Sequence, residues 1–143
     1  MSVPIRRKAR ELALQVLYQS ETTGLQEDAA LLSVLGNFQS DKKAVSYARV
    51  LLEGISANRE AIDELIQGQS ENWRMERMAT VDRNILRIAV YELSEKPDIP
   101  ASVVINEAIE VAGRFSSEDA FSFINGILDG VMKKLGREER PGR

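Results

Sequence analysis

The chain has 143 residues, 43% of them hydrophobic, and its 19 Lys and Arg against 22 Asp and Glu give a formal net charge of −3. That size and apolar content suit one folded domain, and the absence of Cys and His excludes thiolate nucleophiles, imidazole proton shuttles, Ser-His dyads and every zinc site built from those ligands. No apolar run approaches the roughly 20 residues that cross a bilayer, so the expectation is a cytoplasmic protein with no membrane partner.

Helical periodicity recurs along the chain and strand-length alternation does not. The predicted class is all-α: a single domain over 1–143 with about six or seven helices, arranged as two small bundles sharing a core. Pro4 suits a first helical turn, and Ile5, Ala9, Leu12, Ala13, Val16 and Leu17 follow at helical spacing in a helix running to about Ser20, before Gly24. A weaker segment with Leu31, Leu32 and Leu35 stops near Gly36. Ser40 then caps a helix whose inward stripe is Ala44, Tyr47, Ala48, Leu51, Leu52 and Ile55, with Asn58 able to start another. Residues 68–78 contain Trp73 but little periodicity, and read as a linker between helical halves. Beyond them, Thr80 is the expected N-cap of a helix carrying Ile85, Leu86, Ile88, Ala89 and Leu93 and ended by Pro97. Pro100 opens a helix presenting Val104, Ile105, Ala108, Ile109 and Ala112. Ser116 and Asp119 have the spacing of a capping box, and Phe121, Ile124, Leu128, Val131 and Leu135 form the seam of a last helix closed by Gly136.

Charge is distributed unevenly. Residues 1–10 hold Arg6, Arg7, Lys8 and Arg10 with no acid, and residues 131–143 are also basic, so the body between them carries the whole acidic excess. Such a chain is not a general polyanion binder, and any nucleic-acid contact should be local and oriented. On a helical wheel Arg7, Glu11, Leu14 and Tyr18 share one stripe beside Arg6 and Arg10. Guanidinium forks bind phosphate oxygens and a phenol ring can stack on an unpaired base, a combination suited to single-stranded RNA. The same pattern fits a second reading, in which Tyr18 rims the core and the arginines are solvated. No other chemistry has specific support. Glu107 and Glu110 read as a solvated helix edge, Arg83 and Arg87 as surface partners of Asp82 and Glu92, and Gly126 with Gly130 as a site of close helix packing. No phosphate-binding glycine loop, calcium loop or cofactor motif is present, so no cofactor, metal or catalytic residue is expected.

Four ordered stretches resemble the NusB family of bacterial transcription antitermination factors. They are 6–18 (RRKARELALQVLY), 81–93 (VDRNILRIAVYEL) with 98–100 (DIP) following, 104–110 (VINEAIE) and 123–128 (FINGIL). The resemblance covers nearly the whole chain and is vague over 20–40 and 66–78. It implies a non-catalytic all-helical adaptor that pairs with the ribosomal protein NusE and binds boxA RNA of nascent transcripts, chiefly from ribosomal RNA operons. Other Nus factors and RNA polymerase complete the assembly. By the same resemblance Arg6, Arg7, Lys8 and Arg10 contact RNA, Tyr18 and Asp82 lie where the family meets RNA or NusE, and Asp119 and Phe123 approach RNA. Family members often carry Lys where this chain has Gly113 and Ser122, which implies weaker RNA binding by this chain alone. For Asn106, Asn125 and Gly126 the preferred reading is structural, with buried amides satisfying backbone groups.

Two other readings remain at this level. One is a self-associating module, a homodimer formed through an apolar edge around Leu14 and Tyr18. The other is kinship with the helical domains at the front of ribosomal RNA cytosine methyltransferases, which would need a Cys nucleophile and an α/β cofactor domain that the sequence lacks.

Overall fold

A computed structural model of the chain describes residues 3–35 and 41–138. Among these, seven α-helices and one 3-10 turn account for the ordered backbone, with no strand. The chain divides into two compact units, Met1–Ala57 and Asn58–Arg143. The boundary lies at the start of a helix, not in residues 68–78 as the weak periodicity suggested.

The first unit contains α1 (Val3–Thr23), α2 (Glu27–Leu35) and α3 (Lys42–Ala57), with α1 packed on both of the others. Contact on two sides explains why Ala9, Arg10, Leu12, Ala13, Leu14, Val16 and Leu17 are all buried, an arc wider than a single apolar stripe. Ile5, one turn nearer the end, is only half-buried. The helix stops at Gly24, whose φ of 78° lies in the left-handed region, and its amide bonds to Ser20 O at 2.9 Å. Thr22 and Thr23 hydroxyls donate to the last-turn carbonyls of Tyr18 and Gln19. On α3 the six residues of the expected stripe are all buried. Its start is held by Asp41 Oδ1, which accepts the Lys43 amide at 2.7 Å, while Ser40 and Gly36 lie outside the described residues.

The second unit is organised on α5 (Thr80–Glu95), which touches α4 (Arg59–Gln69), α6 (Ala101–Phe115) and α7 (Asp119–Lys134). Being enclosed from three directions, α5 buries every residue from Asn84 to Leu93, polar ones included. Two of these polar groups, Asn84 and Arg87, are satisfied within the unit. Asn84 Nδ2 donates to Thr80 O at 2.9 Å and its Oδ1 accepts from Arg87, whose fork also grips Asp63 of α4 at 2.9 and 3.1 Å. Arg87 is therefore a buried strut and not a surface partner. Arg83 likewise turns inward, donating to Met75 O at 3.0 Å. At the other end Arg137 donates to Leu93 O and Ile99 O, closing carbonyls near the end of α5. One cation of the basic C-terminal segment is thus structural.

Several local expectations give way to tertiary contacts. Thr80 is the first residue of α5 and Ala79 takes the cap position. Ser116 makes no cap for α7, because its hydroxyl donates to Asp82 Oδ1 of α5 at 2.5 Å. Glu107 is buried, not solvated. Asn106, Asn125 and Gly126 are exposed on their helices, so the buried-amide reading fails for all three. Of the two helical glycines, Gly130 meets the Gln69 side chain of α4, where a Cβ would collide, whereas a Cβ at Gly126 would meet nothing within 4 Å.

Candidate nucleic-acid interface

The residues expected to meet RNA or a protein partner fall into two groups, one in each unit. The first is the opening of α1. Proline at the second residue of this helix leaves no donor wasted and lets the cations follow on its first turns. Lys8 is exposed, and Arg6 and Arg7 are half-buried. The Arg6 guanidinium lies 6.0 Å from the centre of the Tyr47 ring of α3, so the ring face steadies the cation at the edge of the unit. Arg10 departs from the expected edge. It is 3% exposed, lying among the apolar residues where α1 passes between its neighbours, and it does not belong to the accessible cationic group. Tyr18 is 44% exposed on the same helix, about 16 Å beyond Arg7 at 1.5 Å per residue. Leu14, placed by the wheel on the same stripe, is buried, and the apolar edge invoked for self-association shrinks to Tyr18.

The second group is a cleft in the second unit. Its walls come from the turn before α5, the first turn of α5 and the start of α7, and it measures about 440 Å³. Asp82 of α5 and Asp119 and Phe123 of α7, the first far from the other two in sequence, line it together with Asn72, Trp73 and Arg77. The first turn of α5 positions Asp82, and the Ser116 hydroxyl fixes one of its carboxylate oxygens. Asp119 stands in the first turn of α7, where the helix dipole favours an anion. Phe123 follows one turn later on the same face.

Of residues 68–78, read from sequence as a linker, the first two end α4 and the rest supply a wall of this cleft. Gln67 Nε2 donates to Ser70 O at 2.8 Å and to Trp73 O at 3.1 Å, and Gln67 Oε1 accepts the Met75 amide at 2.9 Å. Met75 and Met78 are buried beneath the turn. Sequence reasoning missed Trp73 and Arg77 as site residues. The available signal was a tryptophan with no helical stripe to join. Among the described residues, no group of His, Cys, Asp or Glu could hold a metal ion, and no helix is long and apolar enough to cross a membrane.

The arrangement offers cations and a phenol along one helix, and in the other unit a cleft with aromatic walls and carboxylates. Phosphate attraction suits the first and base recognition suits the second. Comparison with known proteins bears on both. The family model described as NusB matches residues 7–133. The transcription antitermination protein NusB of Geotalea daltonii is 46% identical over 142 residues, covering 94% of this chain and 98% of that protein. Among solved structures, T. maritima NusB is similar with a TM-score of 0.83 and 41% identity, covering 94% of each chain. A chain in the crystal structure of the antitermination factors NusB and NusE in complex with double-stranded RNA is similar with a TM-score of 0.79 and 27% identity, covering 93% of this chain and 99% of that one.

Proposed function

The chain belongs to the NusB family, whose curated relatives are transcription antitermination proteins, and from that premise we propose that it acts with NusE as a non-catalytic adaptor binding boxA RNA of nascent transcripts. In this reading it works in the cytoplasm, chiefly on ribosomal RNA operons, and joins other Nus factors and RNA polymerase so that the polymerase reads through terminators. The observation that carries the reading is the cationic opening of α1, exposed at Lys8 and half-open at Arg6 and Arg7, on a fold shared with a protein solved together with NusE and RNA.

Arg6, Arg7 and Lys8 hold phosphates, and Tyr18 supplies a ring further along the helix. Arg10 supports that segment from beneath. Asp119 and Phe123 serve RNA in the second unit, and Asp82 and Tyr18 meet NusE. The acidic middle of the sequence suits a cationic protein partner, because opposite charge speeds encounter and fixes orientation. Ser122 and Gly113 are both exposed without a charge to offer phosphate, so NusE supplies more of the affinity for RNA.

A three-component binding assay with this chain, NusE and boxA RNA tests the proposal. NusE should raise the affinity of the chain for RNA, and a log-affinity against log-salt slope of about −2 is expected from three phosphate contacts at roughly 0.7 each. Absence of any rise on adding NusE would overturn the adaptor reading.

A further inference from the structure

α2 has more apolar surface than its packing on α1 uses. After its opening acids Glu27 and Asp28, Ser33 is its one polar residue, and Gln19 Nε2 of α1 donates to that hydroxyl at 3.0 Å. Ala30, Leu31 and Val34 are its buried residues. A helix packed on one neighbour needs one apolar stripe and ordinarily turns polar residues outward. α2 instead turns out Ala29 and Leu32, the latter 68% exposed, and Leu25 in the preceding turn is 41% exposed. The three stand at i, i+4 and i+7, so they form one row.

The row is held in place before anything binds it. Ser20 Oγ of α1 donates to Leu25 O at 2.6 Å, the Leu25 amide donates to Thr23 Oγ1 at 3.3 Å, and the Ala30 amide bonds to Gln26 O at 2.9 Å. The turn carrying Leu25 is thereby fixed on the end of α1. A ligand meets a preordered surface, which lowers the entropy lost on binding.

Charge selects the occupant. Residues 11–41 hold five acids, Glu11, Glu21, Glu27, Asp28 and Asp41, and no Lys or Arg. Asp28 adjoins Ala29, Glu21 lies four residues before Leu25, and both are exposed. Such a rim repels an RNA backbone or an anionic lipid surface, and a second copy in two-fold contact would bring the same acids together. A protein helix with leucine-like residues along one face and Lys or Arg at its borders satisfies both the row and the rim.

We infer that the outer face of α2 docks a cationic amphipathic helix of another protein, with its apolar stripe on Leu25, Ala29 and Leu32 and its cations toward Glu21 and Asp28. Neither the cationic start of α1 nor the cleft takes part, so this surface is separate from the RNA reading. So small a contact makes the binding weak and readily exchanged.

The test titrates the full chain into a labelled synthetic peptide of leucine and lysine, about 14 residues or roughly four helical turns, with its leucines at helical spacing. A shuffled peptide of the same composition and a counterpart with glutamate for lysine are the controls. Anisotropy should show the striped peptide binding more tightly than either, and amide chemical-shift changes should centre on residues 25–33. Leu32→Ser should weaken binding of the striped peptide roughly tenfold, the order set by withdrawing one leucine from burial. Asp28→Lys should weaken it roughly threefold at low salt, fading as salt rises. Both side chains are exposed, so thermal unfolding should stay close to that of the unchanged chain, and if Leu32→Ser lowers it, Asp28→Lys decides. A shuffled peptide that binds as tightly, shifts centred elsewhere, or unchanged affinity in both variants would overturn the inference. So would sedimentation showing the chain alone as a dimer that Leu32→Ser makes monomeric, since a second copy would then cover the face.

Discussion

α1 and α5 have the same position in their units, each packed against all the main helices around it, yet they use that enclosure differently. α1 buries almost only apolar side chains and keeps its cations at one end, with Arg10 as the exception. α5 buries Asn84, Arg87 and Glu92 along its middle and ties part of that set to Asp63 of α4. The lesson is that an arginine within an apolar sequence has no fixed meaning. Arg7 and Arg10 are three residues apart, and one is at the rim while the other is inside. Arg87 carries the same side chain, and its two-pronged contact with Asp63 makes it part of the frame.

Substitutions should separate these roles. The largest effect is expected at Arg87. Arg87→Ala strands Asp63 and Asn84, and denaturant unfolding should report a loss of about 3 kcal/mol, toward the low end for broken buried pairs because Asp63 keeps some exposure. Arg87→Leu combined with Asp63→Leu should recover much of it. Next, Arg10→Ala should reduce stability by about 1–3 kcal/mol through loss of a buried, engaged group, while the salt slope of RNA binding stays where it was. If Arg10→Ala instead flattens the slope and leaves the midpoint alone, α1 presents that residue to RNA and the distinction from Arg7 disappears. Arg7→Ala with Lys8→Ala should do the reverse, bringing the slope from about −2 to about −0.7 with little change in unfolding.

The smallest effects concern the two glycines of α7. Gly126→Ala should stabilise the helix by up to about 1 kcal/mol, since the added methyl meets nothing and removes backbone freedom from the unfolded chain. Gly130→Ala should change thermal stability by less, because the same helical gain is offset by pushing aside the end of the Gln69 side chain. A Gly126→Ala protein that is more stable yet binds RNA or NusE less well would show that a partner approaches α7 at that point.

Much of the fold was legible because amphipathic periodicity is a local property. The stripe of α3 is buried residue for residue, and Pro97 and Pro100 bracket the interval between α5 and α6 as their missing amides require. The opening of α1 was legible for a related reason, since consecutive cations announce themselves without any partner. Legibility failed where a side chain had a choice of partners. Ser116 had the spacing to cap α7 and bonds to Asp82 instead. Glu107 and Glu92 look like solvent-facing acids in a helical pattern and are buried by neighbouring helices. Residues 70–78 show no periodicity because side chains of Gln67 and Ser70 hold them, and such order leaves no repeating signature.

The amino-acid sequence by itself determined the helical class, the approximate limits of most helices, the chemistry denied to a chain without Cys or His, and the cationic start of α1, all of which follow from residue type and near-neighbour spacing. Its ordered motifs also carried the resemblance to one family. Tertiary structure decided which arginines remain accessible, where the two units divide, and that Trp73, Asp82, Asp119 and Phe123 line one cleft. Those outcomes depend on contacts between residues tens of positions apart, and the energy of such a contact exists only once the packed helices have brought its two sides together.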